Sequence, residues 1–176
     1  LAAARLVDCR LERLSATYLH SPRSTWRTVE LVDSRIGAWE IYDADVESVL
    51  VEDCRLGFAN LVGTALRDVL IRGTRIDELD LSGIDAQRVR FEDCRVGVLR
   101  LRGGSLSDVD LRGLEMSMVD GVDSLAGTTI SGEQLTELAP LMAVHLGLRV
   151  EDGREPAPQS APTRRTGDRT RGTTDI

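Results

Sequence analysis

The side chains able to do chemistry are few here and poorly spaced for it. His20 and His145 are the only histidines, one near each end of the patterned part of the chain. A general base must lie within hydrogen-bond reach of the proton it takes. No spacing brings a nucleophile to either ring, so both histidines are expected to be surface or packing residues. Cys9, Cys54 and Cys94 form no Cys-x-x-Cys pair and no Cys/His ligand set. P-loop, dinucleotide-binding, His-Glu-x-x-His and nucleophile-elbow motifs are all missing. Carboxylates are abundant, but a pair on a convex, hydrated face has no cleft to raise a pKa. The expectation is a protein that is not an enzyme, with no catalytic residue, cofactor or metal. One basic recurrence remains, Arg10, Arg35, Arg55, Arg75 and Arg95. It suits an anionic or acidic partner.

That recurrence points to the elements carrying it. Of the 24 positions met in steps of five from Leu1 to Met116, 21 are large and apolar, although only 41% of the chain is hydrophobic. Neither the 3.6 period of a helix nor the 2.0 period of a strand gives this. A second set, two residues earlier in each pentad, is mostly small or β-branched: Val29, Ser34, Val49, Cys54, Val69, Thr74 and so on. Inward residues spaced two and then three apart predict a short extended piece followed by a corner. Four such pieces close a square coil of twenty residues, and coils stack at the inter-strand distance of about 4.8 Å. The super-period is visible directly. Val29, Val49, Val69, Val89 and Val109 fall in one column, and Val51-Glu-Asp-Cys-Arg-Leu-Gly57 recurs as Phe91-Glu-Asp-Cys-Arg-Val-Gly97.

Leu6-Val-Asp-Cys-Arg10 matches Leu31-Val-Asp-Ser-Arg35 one pentad too late. The surplus is assigned to Ser21-Pro-Arg-Ser-Thr25, read as a loop bulging from the first coil, because Pro22 cannot donate to a ladder. Pro22 and Arg23 are therefore candidate contact residues. This register places Cys9, Ser34, Cys54, Thr74 and Cys94 in one inward column. Successive cysteines are then two coils apart, beyond the roughly 7 Å limit for a disulfide. They are expected to be buried thiols, which fits a reducing cytoplasm.

Ala59-Asn60-Leu61, Leu79-Asp80-Leu81 and Val109-Asp110-Leu111 resemble the motif of the pentapeptide repeat proteins, over residues 1–124. The chain departs from that motif at the central polar position, where one face carries Arg, as in Cys54-Arg55-Leu56. The resemblance implies a right-handed quadrilateral β-helix, an all-β solenoid. Some members of that family act as DNA mimics, acidic rods that occupy the DNA-binding groove of gyrase and confer quinolone resistance. For that alternative the candidate residues are Asp43, Asp45, Asp80, Asp85, Asp108, Asp110 and Asp120.

Charge bears on the choice. Residues 1–124 carry 22 acids and 16 arginines, net −6, and the whole chain carries −7. A six-coil rod about 29 Å long would need ~17 negative charges to copy duplex DNA. The coils supply about a third of that. Asp8, Asp33, Asp53 and Asp93 are expected to offset the arginine ladder. Glu52, Arg72, Glu92 and Arg112 alternate in sign, which steadies a stacked ladder. The leading expectation is a scaffold or protein-interaction module for a protein of unknown identity, without direct nucleic-acid or membrane binding.

No stretch has the roughly 18 apolar residues of a membrane span. All 22 basic residues are arginine, a bias suggesting a GC-rich bacterial genome. The start at Leu1, already in register, is read as the start of a fragment or processed product. At the other end, Ser131-Gly-Glu-Gln134 is a capping box opening a helix. Leu135, Leu138, Ala139, Met142 and Leu146 recur at helical spacing, with Pro140 expected to split the helix in two. Residues 125–152 are thus a helical cap, whose apolar face covers the last coil or pairs with a second copy as a homodimer. Residues 153–176 are rich in Pro, Thr, Arg, Gly and Ser and read as a disordered tail.

Overall fold

The computed structural model describes residues 1–151; the tail expected over 153–176 lies outside the described residues. Two strands make each coil. They are β1 (Arg5–Glu12) and β2 (Ser15–His20), β3 (Thr25–Val32) and β4 (Arg35–Glu40), then β5 (Asp45–Glu52) and β6 (Arg55–Asn60). The series continues with β7 (Ala65–Arg72) and β8 (Arg75–Asp80), β9 (Asp85–Glu92) and β10 (Cys94–Arg100), and β11 (Ser105–Asp110) and β12 (Leu114–Asp120). Odd-numbered strands stack into one parallel sheet and even-numbered strands into another. The short β13 (Thr128–Thr129) adds a last rung beside β11, so the sheet runs past the expected boundary at 124. The result is a parallel β-solenoid of about six turns, closed by one helix, α1 (Gly132–His145).

The core follows the pentad frame. Val29, Val49, Val69, Val89 and Val109 are direct register partners and all are buried. Leaving water stabilises each such side chain by about 1.5–3 kcal/mol, an upper bound because the unfolded chain already hides some of it. The interior holds an enclosed apolar void of only about 50 Å³, far below the roughly 300 Å³ at which ligand pockets begin.

Corners recur every fifth residue. Among the described residues, thirteen other than glycine have positive φ, and seven of them are aspartate. Asp33, Asp53 and Asp93 turn one corner at φ 49–52, and Gly73 takes their place in the coil between. A short polar side chain tolerates this left-handed conformation and a Cβ-free residue adopts it freely. These aspartates are therefore corner formers. None pairs with an arginine of the ladder they were expected to offset.

The inserted loop is absent. Leu6 pairs with Trp26, Cys9 with Val29 and Arg10 with Glu30, so the first coil has twenty residues like the others. Ser21 and Ser24 point inward and are fully buried, and the corner they flank, with Pro22 and Arg23, is regular. Their purpose lies in the core. Trp26 and Trp39 pack at 5.3 Å between ring centroids, and their indole N–H groups donate to Ser24 and Ser21 at 2.8 and 3.1 Å. Two large indoles leave room for only small partners, and a buried N–H needs an acceptor.

This register also moves Cys9 out of the thiol column, which runs Leu14, Ser34, Cys54, Thr74, Cys94, Leu114. There each polar side chain bonds the backbone carbonyl two residues before it: Ser34 to Val32 at 2.8 Å, Thr74 to Arg72 at 2.9 Å, Cys54 to Glu52 and Cys94 to Glu92 at 3.2 Å. Burial pushes both of these thiols up in pKa, which leaves them inert as nucleophiles.

The capping box forms as expected. Ser131 accepts the Gln134 N–H at 3.1 Å, and the Gln134 side chain accepts the Ser131 N–H at 2.7 Å. Gln134 does more than the motif requires. Its amide donates to the Leu111 and Leu114 carbonyls at 2.7 and 2.8 Å, plugging the end of the coil. Leu138 is buried and Met142 packs against the core, so α1 does cover the last coil. Leu135, Ala139 and Leu146 instead face outward. Pro140 lies inside one continuous helix and does not divide it. It forfeits a single bond to the exposed Thr136 residue, whose carbonyl water can serve, while Leu138 and Met142 anchor both sides.

Candidate interaction surface

Arg35, Arg55 and Arg75 open strands β4, β6 and β8, Arg95 is the second residue of β10, and the four are successive register partners. Backbones of neighbours are therefore about 4.8 Å apart. All four are exposed. Arg95 is held by Glu115 of the next coil, with Nε to carboxylate at 2.7 Å. Among the described residues, no carboxylate lies within the 4.0 Å ion-pair limit of Arg35, Arg55 or Arg75. Arg10 is not part of this stack. It belongs to the column of Glu30 and bonds it at 2.6 Å. Pro22 is buried, while Arg23 is an exposed corner residue at φ 53, two corners away from the ladder.

Several other stacked charges are neutralised, although Asp33 and Asp53 in the adjoining column are not. Arg72 reaches Glu52 at 3.3 Å and Glu92 at 2.9 Å, the alternation expected for that column. Arg112 turns instead to Asp110 on its own coil at 2.7 Å. With Arg90 also nearby at 3.8 Å, the Arg112 hydrogen bonds hold the Asp110 carboxyl down at about 2. Asp45 sits between Arg27 and Arg67 at 3.4 and 3.7 Å, and Asp85 meets Arg67 at 3.4 Å. Asp120 accepts from Nε and Nη2 of Arg102, and Asp80 accepts the Ser82 N–H at 2.9 Å. Asp43 and Asp108 are left-handed corners at φ 54 and 55. The seven acids of the DNA-mimic alternative are thus spread over both sheets and are not gathered on one face.

The ladder forms the basic wall of an open groove. Arg55, Arg75 and Arg95 line it along the corner Asp53–Gly73–Asp93, and Glu115, Glu133 and Glu137 close its far end beside α1. Asp53 and Asp93 also line it among the arginines, and Arg112 lies beside the three glutamates at the cap end.

One cluster escaped the sequence reading. Tyr18, His20, Glu40 and Tyr42 meet where β2 stacks on β4, with Tyr18 donating to Glu40 at 2.5 Å and His20 Nδ1 at 3.1 Å from the same oxygen. The signal was present, since His20 and Glu40 differ by one twenty-residue step. The assumed loop hid it by displacing the first coil.

Inward residues at every fifth position, corners at the same interval and coil partners twenty residues apart now stand together. A five-residue side repeated four times per coil is the pentapeptide repeat. The fold is the coil geometry of the pentapeptide-repeat solenoids. No family model matches the chain, and no curated protein matches it. Among solved structures it is similar to QnrB1, described as a plasmid-mediated fluoroquinolone resistance protein. One trypsin-treated variant of QnrB1 aligns with a TM-score of 0.26 at 16% identity, covering 85% of this chain and 99% of that one. A second trypsin-treated variant gives 0.21 at 14% identity, covering 86% and 100%. Full-length QnrB1 gives 0.22 at 13%, covering 84% and 99%. The pentapeptide-repeat assignment rests on the coil register and not on these likenesses. No helix among the described residues is long and apolar enough to cross a membrane.

Proposed function

We propose that this protein is a non-enzymatic interaction module that binds an acidic segment of another protein along Arg35, Arg55 and Arg75. The observation carrying this reading is that these three arginines are stacked without a carboxylate partner within ion-pair distance, whereas the Glu52–Arg72–Glu92 column alternates in sign. Like charges directly opposite one another destabilise a sheet. A fold that pairs stacked charges in columns such as Glu52–Arg72–Glu92 and Asp68–Arg88, and leaves these three arginines unpaired, supports a use for the charge. Exposed ion pairs contribute only about 0.2–1 kcal/mol each, so three contacts give weak, salt-sensitive binding unless neighbouring surface adds to it. The test is fluorescence anisotropy with a labelled ten-residue oligoglutamate. Binding should weaken steeply between 20 and 300 mM salt and be lost in Arg55→Glu and Arg75→Glu. Tighter binding to a DNA duplex than to the peptide would overturn the reading.

Gyrase-directed mimicry is the second reading, suggested by the fold. The pairing of Asp45, Asp85, Asp110 and Asp120 with arginine weighs against it. Inhibition of gyrase supercoiling, or protection from a quinolone, at micromolar protein would promote it. Self-association is a further part of the proposal. The outward side of α1 and the residues after it expose Leu135, Leu141, Val144, Leu146, Leu148 and Val150, a surface suited to pairing with a second copy. Val144→Glu should turn a concentration-dependent dimer into a monomer in sedimentation velocity.

A further inference from the structure

We infer that the cluster of Tyr18, His20, Glu40 and Tyr42 is a receptor for an arginine side chain presented by a partner protein. It lies on a different side of the coil from the arginine ladder and does not depend on it. Both tyrosines of the chain are gathered here, in a protein that is only 3% aromatic. The His20 ring stacks on Tyr18 at 5.7 Å and 20°, and meets Tyr42 edge-on at 6.3 Å. Both Tyr18 Oη and His20 Nδ1 contact Glu40 Oε2, at 2.5 and 3.1 Å. Oε1 of the same carboxylate has no partner among the described residues.

Glu40 is one of several acids without an arginine partner, as is Asp80 two coils on in its column. Asp45, Glu52, Asp85, Glu92 and Asp120 each meet an arginine of this chain, whereas no arginine lies within 4.0 Å of Glu40. The charges nearby are the Leu1 ammonium, which donates to the His20 carbonyl at 2.8 Å, and Arg23 and Asp43 at the adjoining corner. Ala38 and Phe58 follow Tyr18 in its column, Asn60 follows Glu40, and Val62 lies one coil beyond Tyr42. A carboxylate already oriented, with one oxygen still open and aromatic faces beside it, is complementary to a cation. Arginine suits it better than lysine. The planar guanidinium can lie on a ring face while an N–H points at Oε1, whereas an ammonium keeps its water more firmly.

The probe is N-acetyl-arginine-N-methylamide, titrated into the full chain while the ring resonances of Tyr18, His20 and Tyr42 are followed by NMR. Saturable shifts in the millimolar range are expected, at least about fivefold weaker for the lysine counterpart and absent for the uncharged citrulline one. Glu40→Gln keeps the shape and should lose at least tenfold in affinity. Tyr42→Phe should retain binding and Tyr42→Ala should lose it. Equal shifts with arginine and citrulline, undiminished binding by Glu40→Gln, or shifts confined to the cap end of the groove would each overturn the inference.

Discussion

Replacing Arg55 with glutamate should make the protein more stable and less able to bind. Arg55 has a like charge on either side, Arg35 and Arg75. Two unit charges about 5 Å apart in water interact by roughly 0.8 kcal/mol, and physiological salt, with a Debye length near 8 Å, leaves about half of that. The substitution turns two repulsions into two attractions. The ceiling is therefore about 1.8 kcal/mol. Long side chains splay and lose entropy on pairing, so about 1 kcal/mol is expected, or a rise of roughly 2–4 °C in Tm for a chain of this size. Urea and thermal melts followed by circular dichroism give the stability, and oligoglutamate anisotropy gives the binding. A ladder kept only for structure would behave in the opposite way. If the substitution lowers stability by more than about 0.5 kcal/mol and leaves peptide binding intact, the functional reading of the ladder fails.

Three other outcomes are expected. Gln134→Ala strips partners from the Leu114 carbonyl and the Ser131 N–H, at about 1–3 kcal/mol for each group left unsatisfied; hydrogen exchange should quicken in β12 and β13 while β5–β9 stay protected. The Asp110 carboxyl, held at about 2 by Arg112 against an ordinary 3.8, and the similarly lowered Asp68 beside Arg88, stabilise the fold fully above pH 4; that contribution should fade as pH falls from 4 toward 2 in acid melts. Thr28 is a β-branched residue at φ 51, so Thr28→Asn should raise the urea midpoint, by roughly 0.5–1 kcal/mol in stability.

Much of the fold was legible because a solenoid repeats its instructions. The valine column, the capping box and the alternating Glu52–Arg72–Glu92 column each follow from spacing alone. The first coil was misread because Leu6–Arg10 resembles Leu31–Arg35, which lies on the next side of the next coil. Adjacent sides share one motif, so similarity of five residues cannot fix the register. The apolar frame, in constant phase from Leu1 to Met116 with only Ser21 polar, was the better witness. Ser21 read as a loop because its partner, the Trp39 indole, is distant in sequence. The corner role of Asp33, Asp53 and Asp93 was masked because aspartate is both a charge and a tolerant turn residue. Of the candidate site, three ladder arginines could be read in advance, since identical residues twenty apart must stack. The Glu40 cluster could not, because it depends on the very register that was misassigned.

The twenty-residue register has a consequence for how such a molecule can change its length. Removing one residue from a coil would carry every later inward side chain to the outside, so small insertions and deletions are penalised throughout the stack. Whole turns are the only increments that leave the rest in phase. The solenoid is in this sense a ruler graduated in steps of about 4.8 Å, and a lineage could lengthen or shorten its row of arginines one graduation at a time to match the reach of whatever lies along it.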